Sequence, residues 1–67
     1  MITPYYSLLI KEHGTWGVAF GDYERECVED ERTDILEHGD YRARDLKIIK
    51  SGADQSAIDA AVAKLNG

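Results

Sequence analysis

The residues YYSLLIKEHGTWGVAF, Tyr5 to Phe20, contain two apolar runs on either side of His13-Gly14. Both runs are rich in aromatic and aliphatic residues, which favour extended chain. A short break that contains glycine, placed between two such runs, indicates a β-hairpin. The sequence therefore predicts that the fold begins with two antiparallel strands.

The length of the hairpin loop determines which side chains share a face, because a one-residue change of register turns the whole second strand over. A two-residue loop, His13-Gly14, would divide the large apolar side chains between the two faces. A three-residue loop that includes Thr15 would gather six of them on one face, with Gly14 as the left-handed residue of a G1 bulge. We favour the three-residue loop. The predicted apolar face then consists of Tyr6, Leu8, Ile10, Trp16, Val18 and Phe20.

The reverse face of this hairpin would carry small residues, Gly17, Ala19 and Gly21. Glycines within strands often mark the close approach of another backbone or a ligand. Two interpretations follow: a thin face that contacts solvent, or a docking surface for a partner or a second protomer.

A helix is predicted from about Glu24 to His38, with Gly39 as the residue that ends it. Its inward stripe would be centred on Val28 and Ile35, since these positions coincide at 100° per residue. Residues 25–29 could alternatively continue the second strand.

The chain from Tyr41 to Lys50 is predicted to form a third strand, with Leu46 and Ile48 on one face and Ile49 on the other. Its pairing and direction cannot be read from the sequence. Asp54 is predicted to cap a final helix. The apolar residues of that helix follow the spacing of an amphipathic helix and are Ile58, Ala61, Val62 and Leu65. Residues 1–67 thus read as a single α+β domain of order β-β-α-β-α, a two-layer arrangement with both helices packed on a small sheet.

The chain has 67 residues and one cysteine, Cys27. A chain this short buries only about 60% of the surface that it exposes when unfolded, so its core must be efficient or a partner must complete it. Cys27 is predicted to be a buried structural thiol. With no Cys/His cluster, no metal or other cofactor is expected. An unpaired thiol and the lack of a long apolar run lead us to expect a soluble, cytoplasmic protein that is not in a membrane.

The negative charge is concentrated between Asp22 and Asp40, where nine acidic and two basic residues give a net charge of −7. The rest of the chain has six bases and four acids, which gives the total of −5. Such a protein repels phosphate over most of its surface, so direct nucleic-acid binding is not expected. The small basic cluster between Arg42 and Lys50 is interpreted as neutralising the acidic helix.

No set of residues predicts catalysis. Cys27 lies among acids that would raise its pKa, His13 suits a turn, and His38 suits a helix C-terminus. Glu31 falls within the apolar stripe of the helix and is expected to pair with Arg44 or Lys47. No catalytic or metal-binding residue is therefore assigned, and the protein is not expected to be an enzyme.

The acidic helix presents the candidate site. Its like-charged pairs Glu26–Asp30 and Asp30–Asp34 each cost the helix roughly 0.2–0.5 kcal/mol. These acids serve either solubility alone or the docking of a basic protein partner. The candidate partner-binding residues are Asp22, Glu26, Glu29, Asp30, Asp34 and Glu37.

The residues FGDY at 20–23, DLKII at 45–49 and IDAAV at 58–62 resemble small uncharacterised proteins encoded by phages and prophages. The resemblance extends over most of the chain but supplies no catalytic residues. It implies a protein that binds and blocks host machinery, including nucleic-acid-binding complexes such as CRISPR effectors. The predicted function is therefore a non-enzymatic, phage-type inhibitor that docks its acidic helix on a basic host protein. The alternative is a homodimer or other assembly protein that uses the face of Gly17 and Ala19.

Overall fold

The computed structural model describes residues 4–67. Three strands and two α-helices follow one another in the predicted order, with a short 3₁₀ turn before the third strand. The α+β class and the β-β-α-β-α order are confirmed. The elements are β1 (Tyr5–Glu12), β2 (Thr15–Asp22), α1 (Arg25–His38), the 3₁₀ turn (Ala43–Asp45), β3 (Leu46–Ser51) and α2 (Gln55–Asn66).

Strand β1 is the centre of the sheet, whose order is β2-β1-β3, and both pairings are antiparallel. The third strand begins at Leu46, so its predicted start at Tyr41 was wrong. The preceding residues turn instead, and the Asp45 N–H donates to the carbonyl of Arg42 at 2.9 Å. Leu46 and Ile48 share one face and Ile49 lies on the other, as predicted.

The hairpin has a two-residue loop, because Glu12 pairs with Thr15. His13 and Gly14 both have positive φ, 54° and 79°, which is the pattern of a type I′ turn. The predicted three-residue loop was wrong. A type I′ turn matches the natural twist of the two strands, and this match favours it over the looser loop.

A β-bulge in β2 divides the apolar residues of the hairpin between the two faces. Leu8 pairs with Phe20 and Leu9 pairs with Val18, so Ala19 is an extra residue. Phe20 therefore shares a face with Leu8, whereas Val18 shares the opposite face with Leu9. The predicted face of six apolar residues was wrong, since Trp16 and Val18 lie on the other side of the sheet.

Apolar side chains are buried on both faces of the sheet. On one face, Leu8, Val28 and Leu46 form the core under α1, and partly buried apolar residues surround them. On the opposite face Leu9 is fully buried, and Ile58 of α2 is 8% exposed. Helix α2 contacts the two outer strands, β2 and β3, and covers Leu9 between them. The helices thus lie on opposite faces of the sheet. The sequence had predicted a two-layer arrangement, with a single layer of helices on the sheet.

The C-terminal end of α1 and the N-terminal cap of α2 are as predicted. Gly39 has a left-handed φ of 79°, and its N–H donates to the carbonyl of Leu36 at 3.2 Å. Asp54 caps α2, since its Oδ1 accepts a hydrogen bond from the Ala57 N–H at 3.2 Å. Cys27 is exposed, so its predicted burial was wrong. It lies one residue, or 100°, from the buried Val28, beyond the edge of the inward stripe.

Ser7 is the buried polar residue of the described core, and its hydroxyl has no hydrogen-bond partner within residues 4–67. An unsatisfied buried hydroxyl costs about 1–3 kcal/mol. We therefore expect Ser7→Ala to stabilise the domain by about 1 kcal/mol, as measured by urea unfolding. Ser56→Ala, at an exposed position of α2, is the control and should change stability by less than about 0.5 kcal/mol. A loss of stability in Ser7→Ala would contradict this prediction.

Candidate functional site

The outward face of α1 carries four exposed carboxylates. Burial of Val28 and partial burial of Ile35 and Leu36 fix the rotation of the helix against the sheet. The opposite side of the helix must then face solvent. We name these four residues the acidic face: Glu26, Asp30, Asp34 and Glu37.

The other two predicted partner-binding residues lie beside the acidic face. Asp22 ends β2, and its Oδ1 accepts a hydrogen bond from the Glu24 N–H at 2.9 Å, so it helps to turn the chain into α1. Glu29 pairs with Arg25, whose Nε lies 3.1 Å from Oε1. Both side chains of that pair are more than half exposed, so the pair contributes little to stability.

Within residues 4–67, none of the four carboxylates of the acidic face forms an ion pair. Within the described residues, Arg25–Glu29 is the sole ion pair. The bases near β3 therefore make no direct ion pair with the helix, and any neutralisation by them would act over a longer distance.

Glu31 is half-buried and makes no ion pair within residues 4–67, so its predicted pairing with Arg44 or Lys47 was wrong. It lines a small depression together with His38 and Tyr41. Lys47 pairs with Leu9, so its side chain lies on the face of the sheet opposite α1. The sheet thus separates Lys47 from Glu31.

The chemistry around Cys27 disfavours a reactive thiol. Its Sγ is 3.8 Å from a carboxylate oxygen of Glu24, which accepts a weak hydrogen bond from the thiol. Partial exclusion of water, together with the charges of Asp22, Glu24 and Asp30, raises the pKa of Cys27. A raised pKa lowers the fraction of nucleophilic thiolate.

His38 stabilises the end of α1. Its Nδ1 lies 2.7 Å from the carbonyl oxygen of Asp34. This hydrogen bond, with the charges of Asp34, Asp40 and Glu37, raises the pKa of His38. A protonated imidazole at this position also interacts favourably with the C-terminal end of the helix dipole. These contacts account for His38 as a structural residue.

The glycines of β2 do not form the flat face that the sequence predicted. Because of the bulge, Gly17 lies opposite Ile10 while Gly21 lies opposite Ser7, on the other side of the sheet. At Gly21 the close neighbour is the ring of Tyr5, two atoms of which would lie 2.8 Å from a Cβ. What remains at the bulge is an exposed strip that consists of Gly17, Val18 and Ala19.

Within residues 4–67, no group of three or more His, Cys, Asp or Glu side chains is placed to hold a metal ion. Neither helix of this part of the chain is long and apolar enough to cross a membrane. In comparisons with known proteins, no family model, curated protein or solved structure matches the chain.

Proposed function

We propose that this protein is a non-enzymatic binding module whose acidic face docks on a basic surface of another protein. The observation that supports this proposal is the arrangement of Glu26, Asp30, Asp34 and Glu37, which are exposed and lack ion pairs within the described chain. Their like-charged i, i+4 pairs destabilise the helix, so helix stability does not explain them. Complementary charge on a partner would increase the rate of association.

The spacing of these acids favours a partner that normally binds nucleic acid. Residues four apart on a helix are separated by about 6 Å along the axis, and the acidic face extends about 16 Å. It thus presents a row of closely spaced negative charges, as a phosphate backbone does. A basic groove built for phosphates is a suitable surface for such a row. Inhibition of a nucleic-acid-binding host complex, such as a CRISPR effector, is the biological role that we propose.

The test is neutralisation of the acidic face by the triple substitution E26Q/D30N/E37Q. Tagged wild type and variant are used to capture proteins from lysate of the source organism or its host, with elution by increasing salt. We expect wild type to retain a basic protein that nucleic acid displaces, and the variant to lose at least about tenfold in affinity for it. Removal of like-charge repulsion should leave the variant at least as stable as wild type.

The matched control is S56K/A60K/A63K, which raises the net charge by the same three units on exposed positions of α2. Because α2 lies on the other side of the sheet, this control should retain the captured protein with little change. If both variants bind the captured protein equally weakly, total charge rather than the acidic face controls binding. Equal retention by wild type and the acidic-face variant would refute the proposal.

The second candidate function is self-assembly through the exposed strip at the bulge. Val18 is 52% exposed there, and its neighbours in the strip, Gly17 and Ala19, are exposed as well. Light scattering at micromolar concentration distinguishes this candidate. A dimer that Val18→Glu converts to a monomer would support it, whereas a wild-type monomer would exclude it.

A further inference from the structure

The two outer edges of the sheet differ in their availability for pairing. At β2, the side chain of Asn66 forms hydrogen bonds with both main-chain groups of Trp16. The Trp16 N–H donates to Asn66 Oδ1 at 2.7 Å, and Asn66 Nδ2 donates to the Trp16 carbonyl at 3.0 Å. The bulge at Ala19 further distorts that edge. Capping and bulging are devices that prevent a strand edge from pairing with another chain.

The edge of β3 has neither device. Its six residues, Leu46–Ser51, pair with β1 in regular register, and no strand of the described chain pairs with its outer side. Alternate residues of an antiparallel edge strand direct their N–H and C=O groups outwards. These groups are available to form a main-chain ladder with an added strand.

A groove of about 570 Å³ opens between α1 and this edge. Leu46 and Ile48 form its apolar floor, Arg25 and Arg32 provide positive charge along it, and Lys47 lines it from the strand. Glu29, the one acid among the described residues that line the groove, is already paired with Arg25. Three of the eight lysines and arginines thus lie beside one strand edge in a chain whose net charge is −5.

We infer that the β3 edge binds an extended acidic segment of a partner protein, which joins the sheet as a fourth strand. Main-chain hydrogen bonds to β3 hold the segment, as in other cases of strand addition. On the α1 side, an apolar side chain of the segment packs on Ile48, and a carboxylate of the segment reaches Arg32. On the other face of the sheet, a carboxylate of the segment lies near Lys47.

A second copy of this chain is a poorer occupant of the same edge. The sequence of β3, LKIIKS, contains Lys47 and Lys50. Pairing of two β3 strands would add one lysine to each face of this edge, and like charges on neighbouring strands destabilise a sheet. Edge lysines of this kind deter self-pairing while they attract an acidic strand.

This inference is independent of the proposed function. The acidic face requires a basic surface, whereas the β3 edge requires an acidic extended segment. The substitutions that test the two surfaces share no residue, so either proposal can fail alone.

The probe is a short fluorescein-labelled peptide of repeating Glu-Glu-Val-Val units, which places glutamates on both faces of an added strand. It is titrated with the full chain and followed by fluorescence anisotropy. We expect saturable binding that R32Q/K47Q weakens by about tenfold, through loss of two charge contacts and of the local field. The control K11Q/K64Q removes the same charge at exposed positions away from the groove and should change binding less than about twofold.

Two N-methylated peptides separate strand addition from charge attraction alone. Methylation of the alternate amides that face β3 should abolish binding, while methylation of the other amides should leave it intact, since both peptides carry the same charge. Equal binding of the two peptides would overturn the inference. So would a protein that is already dimeric without peptide and shows slow hydrogen exchange along β3, because self-pairing would then occupy the edge.

Discussion

Leu9→Ala should destabilise the domain by about 2–5 kcal/mol, the usual cost of removing a fully buried leucine side chain. Leu9 has no solvent exposure, although it lies on the face of the sheet opposite the core under α1. A domain of this size has a total stability of about 3–10 kcal/mol. The substitution should therefore remove a large part of that stability. Urea unfolding followed by circular dichroism and Trp16 fluorescence measures the change.

Val18→Ala is the matched control, because Val18 pairs with Leu9 across the strands and is 52% exposed. Truncation of this side chain should lower the free energy of unfolding by less than about 0.5 kcal/mol. If Leu9→Ala does not fold, Leu9→Val should still show a cost of about 1 kcal/mol. A cost for Leu9→Ala no larger than that for Val18→Ala would show that α2 does not cover this face.

Gly21→Ala should destabilise the domain by about 0.5–1.5 kcal/mol, because the added Cβ displaces the Tyr5 ring from its aromatic contact. A Cβ at this position would lie 2.8 Å from Cε2 and Cζ of Tyr5, closer than carbon atoms approach without displacement. The Tyr5 ring would have to move and would lose its edge-to-face contact with Tyr23, whose centroid is 5.0 Å away. Thermal and urea unfolding of the variant measure the loss.

The control for this prediction is Gly17→Ala in the same strand, where a Cβ would meet no atom within 4 Å. It should be neutral or should stabilise the strand by about 0.5–1 kcal/mol, because glycine has the larger entropy loss on folding. In a Tyr5→Ala background, Gly21→Ala should cost less than about 0.5 kcal/mol, since the clashing ring is gone. An undiminished cost in that background would assign the effect to the backbone instead of Tyr5.

The elements that depend on local sequence were predictable. Helix α2 has an N-terminal cap at Asp54 and apolar residues at helical spacing, and both signals act within a few residues of each other. The same is true of Gly39, whose left-handed conformation ends α1. The exposure of the acidic face also follows from helical periodicity once the inward position of Val28 is known.

The hairpin shows where local signals were insufficient. Each of the two loop lengths considered assumed an unbroken second strand, and each therefore assigned Trp16, Val18 and Phe20 to a single face. The bulge at Ala19 makes both assumptions invalid, because Phe20 turns towards Leu8 while Val18 stays with Leu9. A bulge has no signature in this stretch that distinguishes it from a regular strand.

The sequence alone therefore determined the element order, the helix ends and the location of the negative charge, since these depend on neighbours along the chain. Only the tertiary structure decided the division of the core between two faces, the exposure of Cys27 and the free edge of β3. Burial and strand pairing depend on which distant segment covers a residue, and periodicity specifies a face without specifying its partner. For that reason the acidic face was found from the sequence, whereas the basic groove beside β3 was not.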